Sequence, residues 1–219
     1  MSEFEDFPKL ESPFERMEIN GKYVVIPKLK PEYLWILDKD TVIATEKFDG
    51  TNCSVLVEDG KIKVVMNRKN RIDIWKSHKM YYDGIKRAID EKKFQLERLK
   101  DGQYFGELIG EKINGNPYRL EGHLFLPFEY IKKHYLFKFY YDWLDEEIDL
   151  QKITHKEVYY KFSELFYNLK SLYFRKFKED KAPEGIVFWN RETGEKCKLR
   201  IDMFDWYKGK PHKWYEQNG

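Results

Sequence analysis

Two runs of alternating apolar and polar residues, Cys53 to Glu58 and Lys61 to Asn67, meet at Asp59-Gly60. Period-two alternation gives a strand one buried and one open face, and Asp-Gly supplies the positive-φ pair of a tight hairpin turn. The chain must therefore build an antiparallel sheet. Further strands are predicted over residues 41–48, Gln103 to Ile109, Phe137 to Leu144, Ile186 to Trp189 and Lys196 to Ile201. Met17 to Leu37 contains strand-like runs as well. Residues 78–99 carry apolar side chains at helical spacing (Tyr81, Ile85, Ala88, Ile89, Leu96, Leu99), and Asp101-Gly102 ends that helix. Thr154 with Glu157 forms a capping box ahead of Val158, Phe162, Leu165, Phe166 and Leu169, a second amphipathic helix. Strands and helices interleave as α+β, with no internal repeat and no low-complexity linker, so residues 1–219 read as one domain.

Several classes fall away. A chain of 219 residues buries enough surface to fold without disulfides or a structural metal. Cys53 and Cys197 are the only cysteines, best read as small buried residues in a reducing cytoplasm. The N-terminal stretch is acidic where a signal peptide would be basic and then apolar, and no apolar run approaches the roughly 18 residues of a membrane-spanning helix. His78, His123, His134, His155 and His212 show no metal-ligand or catalytic spacing, and no Walker A loop occurs.

A net charge of +2 hides an asymmetry. Residues 1–20 sum to −4, whereas residues 61–100 sum to +8, with Lys79, Lys86, Arg87, Lys92, Lys93 and Arg98 on the expected helix. Such a stripe suits a phosphate backbone, and equally a solvated helix face. The 38 aromatics among 219 residues suit base stacking, and equally a core of Phe and Tyr.

The chemistry lies in an ordered set of short motifs. Glu46-Lys47-Phe48-Asp49-Gly50-Thr51-Asn52 joins the end of one strand to the start of the next. Asn67-Arg68-Lys69, Tyr104-Phe105-Gly106-Glu107-Leu108, Phe139-Tyr140-Tyr141-Asp142, Glu184-Gly185-Ile186-Val187 and Lys196-Cys197-Lys198 follow in that order. Taken singly, Glu107 and Glu184 read as surface carboxylates, Lys196 and Lys198 as an exposed strand face, and Asp49-Gly50 as a turn. As a series they resemble the motifs of the covalent nucleotidyltransferases, the superfamily of ATP-dependent DNA and RNA ligases and mRNA capping enzymes. Glu before Lys47 and Thr51-Asn52 after Gly50 are similar to RNA ligases of the phage nick-sealing type. Phe7 to Phe14 also looks like the opening of small viral and phage RNA ligases.

That resemblance implies a fold and a set of roles. The fold would be a nucleotidyltransferase (ATP-grasp-like) domain with antiparallel sheets flanked by helices and the nucleotide in the cleft between them. Lys47 would be the nucleophile that takes AMP from ATP, pass it to an RNA 5′-phosphate, and let a 3′-hydroxyl displace it. A lysine attacks only as the neutral amine, and two cations on one strand face, Lys196 and Lys198, would favour that form and hold the α-phosphate. Glu184 would hold Mg²⁺ or Mn²⁺, and Glu107 the ribose or a metal-bound water. Glu46 would accept a hydrogen bond from the adenine amino group, with Asp49 and Gly50 also at the nucleotide. Tyr141 or Phe139, two apart on the expected strand and so sharing a face, would stack on adenine. Asn52 and Arg68 would act at the RNA 5′-phosphate end.

DNA ligases and capping enzymes follow the last motif with an OB fold, and phage RNA ligases with a helical domain. The residues after Lys198 are too few for either. A bare nucleotidyltransferase domain is therefore expected, with a protein partner able to supply RNA binding. The aromatic and basic run Trp206 to Tyr215 could contribute by stacking and phosphate contact. The rivals are a DNA ligase or GTP-using capping domain, and an RNA-end-binding protein that adenylylates without sealing.

Overall fold

The computed structural model describes residues 4–73 and 79–209. They belong to two compact units, Met1–Lys9 with Phe48–His134, and Leu10–Lys47 with Tyr135–Gly219. In chain order, β1 (Phe14–Ile19), β2 (Lys22–Leu29) and β3 (Val42–Lys47) enter the second unit. The first unit then takes β4 (Thr51–Glu58), β5 (Lys61–Asn67), β6 (Asn70–Arg71), α1 (Lys79–Asp90), β7 (Gly102–Gly110), β8 (His123–Pro127) and α2 (Phe128–His134). The second resumes with α3 (Phe139–Glu147), α4 (His155–Tyr167), α5 (Leu172–Arg175), β9 (Gly185–Asn190) and β10 (Lys196–Arg200). The fold is α+β, and every strand pairing is antiparallel among the described residues.

In the first unit five strands lie in the order β6-β5-β4-β7-β8. The β4–β5 hairpin turns at Asp59 (φ 53°) and Gly60 (φ 65°), the expected pair. Helix α1 covers the sheet with Tyr81, Gly84, Ile85 and Ala88, the 3–4 spacing of a single buried stripe. It is shorter than its sequence suggests. The chain reverses at Lys92 (φ 57°), and the backbone N–H groups of Lys93 and Phe94 both donate to Ala88 O. Phe94 thereby enters the core, 2% exposed and edge-on to Phe125 at 5.5 Å. Burying that ring outweighs one more helical turn, and Leu96 falls in a separate 3-10 turn, Leu96–Arg98. The start of the expected helix, His78, lies outside the described residues.

In the second unit, β1–β2 form a hairpin and β10-β9-β3 a three-stranded sheet. One aromatic core joins them to α3 and α4: Phe14, Phe137, Tyr140, Phe162, Phe166 and Phe188 are all essentially unexposed. Thr154 and Glu157 cap α4 reciprocally, as the sequence indicated. The strand expected over Phe137 to Leu144 is instead a helix, and this corrects the reading of the Phe139–Asp142 motif. Phe137, Tyr140 and Leu144 are the buried positions, a 3–4 spacing and not an alternation. The Tyr140 hydroxyl donates to Ile36 O at 2.9 Å, so tertiary packing overrides the strand preference of the aromatic run. Trp206 and Tyr207 also belong to packing: Trp206 stacks on Phe204 at 5.4 Å and Tyr207 is 1% exposed. The rest of that tail, Lys210 to Tyr215, lies outside the described residues. No helix of the described residues is long and apolar enough to cross a membrane.

Candidate active site

The register of the three-stranded sheet assembles the Lys-rich motifs. Opposed residues of antiparallel strands share a face. The rungs Ile43–Trp189–Lys196, Thr45–Val187–Lys198 and Lys47–Gly185–Arg200 therefore place Lys47, Lys196 and Lys198 on one face. The opposite face carries Ala44, Phe188 and Cys197, all fully buried, with Ile186 and Leu199 beside them. The sequence thus places three cations on one side and a hydrocarbon core on the other through simple alternation.

Lys47 Nζ sits 2.5 Å from Glu184 Oε2, with side chains only 17% and 6% exposed. Gly185, the next residue, leaves no space for a side chain. A Cβ there would lie 2.1 Å from Leu199 O, so glycine lets β9 approach β10 and carry Glu184 to the lysine. The Glu-Gly pair works as one device. Lys196 donates to Gly194 O at 2.8 Å, and Arg200 is held by Asp202 at 2.8 Å. β10 is secured on its outer edge by Lys198 N–H donating to Glu11 O.

Glu46, next to the lysine, points the other way. It is 1% exposed, and its Oε1 accepts from Ser171 Oγ at 2.5 Å while Oε2 accepts from Tyr173 N–H at 2.9 Å. Burial pushes its carboxyl up to about 7, against the pull of these donors and of Lys176. Tyr141 and Phe139 are two apart on α3, so their rings leave the helix on different sides. The Tyr141 hydroxyl donates to Val42 O at 3.3 Å, and the Phe139 ring is 40% exposed, edge-on to Phe137. The expectation that they share a face fails with the strand that carried it.

The remaining motif residues lie in the first unit. Asp49 is 9% exposed; its N–H donates to Tyr118 Oη at 2.7 Å and its Oδ1 accepts from Asn114 Nδ2 at 2.6 Å. Asn114 Nδ2 also donates to Gly50 O at 3.1 Å. A Cβ on Gly50 would stand 2.5 Å from Leu108 O and 2.6 Å from Glu107 Cγ, so the Asp-Gly motif packs onto the strand that carries Glu107. Asn52 and Glu107 are direct cross-strand partners on β4 and β7. Asn52 Oδ1 is buried and accepts no hydrogen bond. Arg68 (φ 50°) is exposed in the turn between Asn67 and Asn70. Tyr118, Asn114 and Ser171 were not singled out from sequence. Their only local signals are turn and cap preferences, and their partners lie 65 or more positions away.

The basic helix α1 is largely self-neutralised. Lys86 pairs with Asp90 at 2.5 Å and Arg87 with Glu91 at 2.7 Å, both i,i+4, and Lys93 also reaches Glu91. This arrangement favours the solvated-face reading over a phosphate track. Among the described residues no group of three or more His, Cys, Asp and Glu side chains could hold a metal ion.

Residues 40–204 match the RNA ligase family, a span that takes in Lys47, Glu184, Lys196 and Lys198. The chain belongs to that family. No curated protein is significantly similar in sequence. Among solved structures, Naegleria gruberi RNA ligase with PPi aligns at 18% identity, covering 90% of this chain and 57% of that one, with a TM-score of 0.48. A variant of the same ligase with ATP and Mn aligns at 18% identity over 89% and 57%, with a TM-score of 0.49. Another, with AMP and Mn, gives 18% identity over 90% and 57% and a TM-score of 0.47. This RNA ligase family chain thus spans 57% of the length of each of these relatives.

Proposed function

We propose that the chain is the catalytic portion of an ATP-dependent RNA ligase, with Lys47 as the residue that becomes covalently adenylylated. The observation that carries this reading is the Lys47–Glu184 ion pair on the sheet face that also bears Lys196 and Lys198.

As an ammonium bound to a carboxylate, Lys47 is held in place and unreactive. Attack requires one of its protons to leave, and Glu184 is the acceptor in contact with it. The freed amine attacks the α-phosphorus of ATP: an N–P bond forms and the P–O bond to pyrophosphate breaks. Lys196 and Lys198, two positions apart on β10, offer positive charge to the α-phosphate and to the departing pyrophosphate. Transfer to RNA breaks the N–P bond and joins AMP to the 5′-phosphate. A 3′-hydroxyl then forms the phosphodiester and releases AMP. Each step is governed by positioning and charge more than by covalent help from the protein.

The donor set fits Mg²⁺ or Mn²⁺, because such ions take one or two carboxylates and fill the remaining positions with water and phosphate oxygens. Glu184 would hold the ion, and Glu107 on β7 is a separate candidate for the ribose or a metal-bound water. When bound, the metal supplies neutralisation of phosphate charge. Asp49 and Gly50 are assigned to the nucleotide, and Asn52 with Arg68 to the RNA end. The buried, unpaired Asn52 Oδ1 supports a polar partner there. For the base, Phe139 and Tyr141 remain the two rings, now as alternatives on separate faces of α3.

Incubation with ATP labelled on the α-phosphate and magnesium, followed by denaturing electrophoresis, tests the assignment. Label is expected on the wild-type chain from ATP, little from labelled GTP, and none on Lys47→Arg, which keeps the ion pair. Adding nicked RNA, single-stranded RNA or nicked DNA then measures sealing. Retained label in Lys47→Arg would remove Lys47 as the acceptor. Preferential sealing of nicked DNA would move the reading to a DNA ligase.

A further inference from the structure

The loop between β7 and β8, residues 111–122, carries two side chains that no motif flags, and both end on the residues that follow Lys47. Its backbone has an unusual shape. Asn114 (φ 49°), Gly115 (φ 77°), Asn116 (φ 52°) and Arg119 (φ 51°) are left-handed, a conformation that glycine and asparagine tolerate best. Glu111 N–H donates to Gly122 O at 3.0 Å and closes the base of the loop. Asn116 closes its far half: the side-chain amide donates to Leu120 O at 2.9 Å and Oδ1 accepts from Leu120 N–H at 3.0 Å. Ile113 and Tyr118 are 5% and 4% exposed, so the loop is packed and not a solvated excursion.

Two of its side chains meet Phe48, Asp49 and Gly50 in turn. The Tyr118 ring lies 5.4 Å from that of Phe48, and its hydroxyl oxygen accepts from Asp49 N–H at 2.7 Å. Asn114 Nδ2 donates to Asp49 Oδ1 at 2.6 Å and to Gly50 O at 3.1 Å. One amide thus ties the carboxylate to the next residue's carbonyl and fixes the Asp49 side-chain torsion. Gly50 also abuts β7, where a Cβ would stand 2.5 Å from Leu108 O. The Asp-Gly pair is wedged between a strand and a loop, with backbone and side chain both held. A group that meets a nucleotide gains most when its orientation is set before the ligand arrives.

We propose that Asn114 and Tyr118 are positioning residues for the nucleotide step: together they hold Asp49 and Gly50 in the pose in which these engage ATP. The proposal rests on the assignment of Asp49 and Gly50 to the nucleotide. Neither Asn114 nor Tyr118 needs to touch ATP, since both act through the motif.

Two measurements test it, the first without nucleotide. Tyr118→Phe keeps the ring and removes the acceptor of Asp49 N–H. Asn114→Asp keeps the size and tolerates the left-handed backbone, but sets a carboxylate against Asp49 Oδ1. Asn20→Asp is the matched control, because Asn20 is also left-handed (φ 51°) and exposed, in the turn between β1 and β2. Amide hydrogen exchange resolved at Asp49 should accelerate at least about tenfold in Tyr118→Phe, with the amides of β9 unaltered. Unchanged exchange would overturn the proposal, whatever the fate of the ligase assignment. In the second, single-turnover AMP labelling at subsaturating ATP is followed to completion. Both loop variants should label at least about tenfold more slowly yet reach the wild-type amplitude, with Asn20→Asp within about twofold of wild type in rate. Wild-type rates in both loop variants would overturn the proposal. So would a reduced amplitude reached at the wild-type rate, which reports partial unfolding alone. Absence of label on the wild-type chain would instead defeat the ligase reading and the nucleotide step with it, and the exchange result would decide whether the loop holds the motif.

Discussion

The two faces of the β3-β9-β10 sheet are built from the same strands and obey opposite rules. One face shows Lys47, Lys196, Lys198 and Arg200, with Glu184 and Asp202 as counter-charges. The other buries Ala44, Ile186, Phe188, Cys197 and Leu199, with a single carboxylate, Glu46, among them. Lys47 and Arg200 on the first face are ion-paired yet remain partly in reach of solvent, so they can be re-paired with phosphates. The charge on the second is locked by hydrogen bonds and nearly out of water.

Substitutions that act on one face and spare the other sharpen that contrast. The largest effect is expected at Lys47: replacement by Arg should reduce covalent AMP labelling to background while the circular dichroism spectrum and melting profile stay close to wild type. Phe188→Ala, on the inner face, should do the reverse in kind. It should lower stability by about 3–5 kcal/mol in urea titration. Any label the folded fraction takes up should still sit on Lys47. Next in size is the pH response of Glu46. Its carboxyl stands at about 7 in the folded chain against an ordinary 4.5, with Ser171, Leu172, Tyr173 and Lys176 the groups that face it. The folded state therefore holds a proton that the unfolded state has lost, and stability falls as pH rises between these two values, by roughly 3 kcal/mol in all. Unfolding free energies measured from pH 4.5 to 8 should show that fall in wild type and a flatter profile in Glu46→Gln.

Lys198→Ala comes after these, with about a hundredfold slower labelling and little change in melting, since it removes one cation from the outer face. The smallest effect is expected away from both faces. Lys86→Ala breaks an exposed i,i+4 pair on α1 and should leave the melting profile close to wild type. It should leave labelling and its salt dependence unchanged. A steep loss of RNA sealing in that variant would restore α1 as a phosphate-binding helix.

Much of this contrast could be read from the residues. Alternation around Lys47 and through Lys196-Cys197-Lys198 reports which side chains share a face, and the hairpin at Asp59-Gly60 fixes the register of β4 with β5. What alternation misses is set by distant packing. Phe139 to Asp142 looks like a strand because aromatic residues favour strands, yet Tyr140 and Leu144 find the core through a helix. The end of α1 is not legible in the helical spacing because Phe94, beyond the reversal at Lys92, is a better core residue than a helix extension would have made it. The supports of the candidate site, Tyr118 and Asn114 under Asp49 and Ser171 against Glu46, come from sequence separations of 65 to 125. No short-range pattern reports such pairs.

The central claim is that Lys47 is the covalent acceptor, and locating the adduct tests it most directly. The full chain is incubated with ATP and magnesium, digested, and mapped by tandem mass spectrometry at a pH where phosphoramidates survive. The expected result is one AMP per chain on the peptide containing Lys47, lost in Lys47→Arg. An adduct on Lys196, Lys198 or any other residue, with Lys47 unmodified, would contradict it.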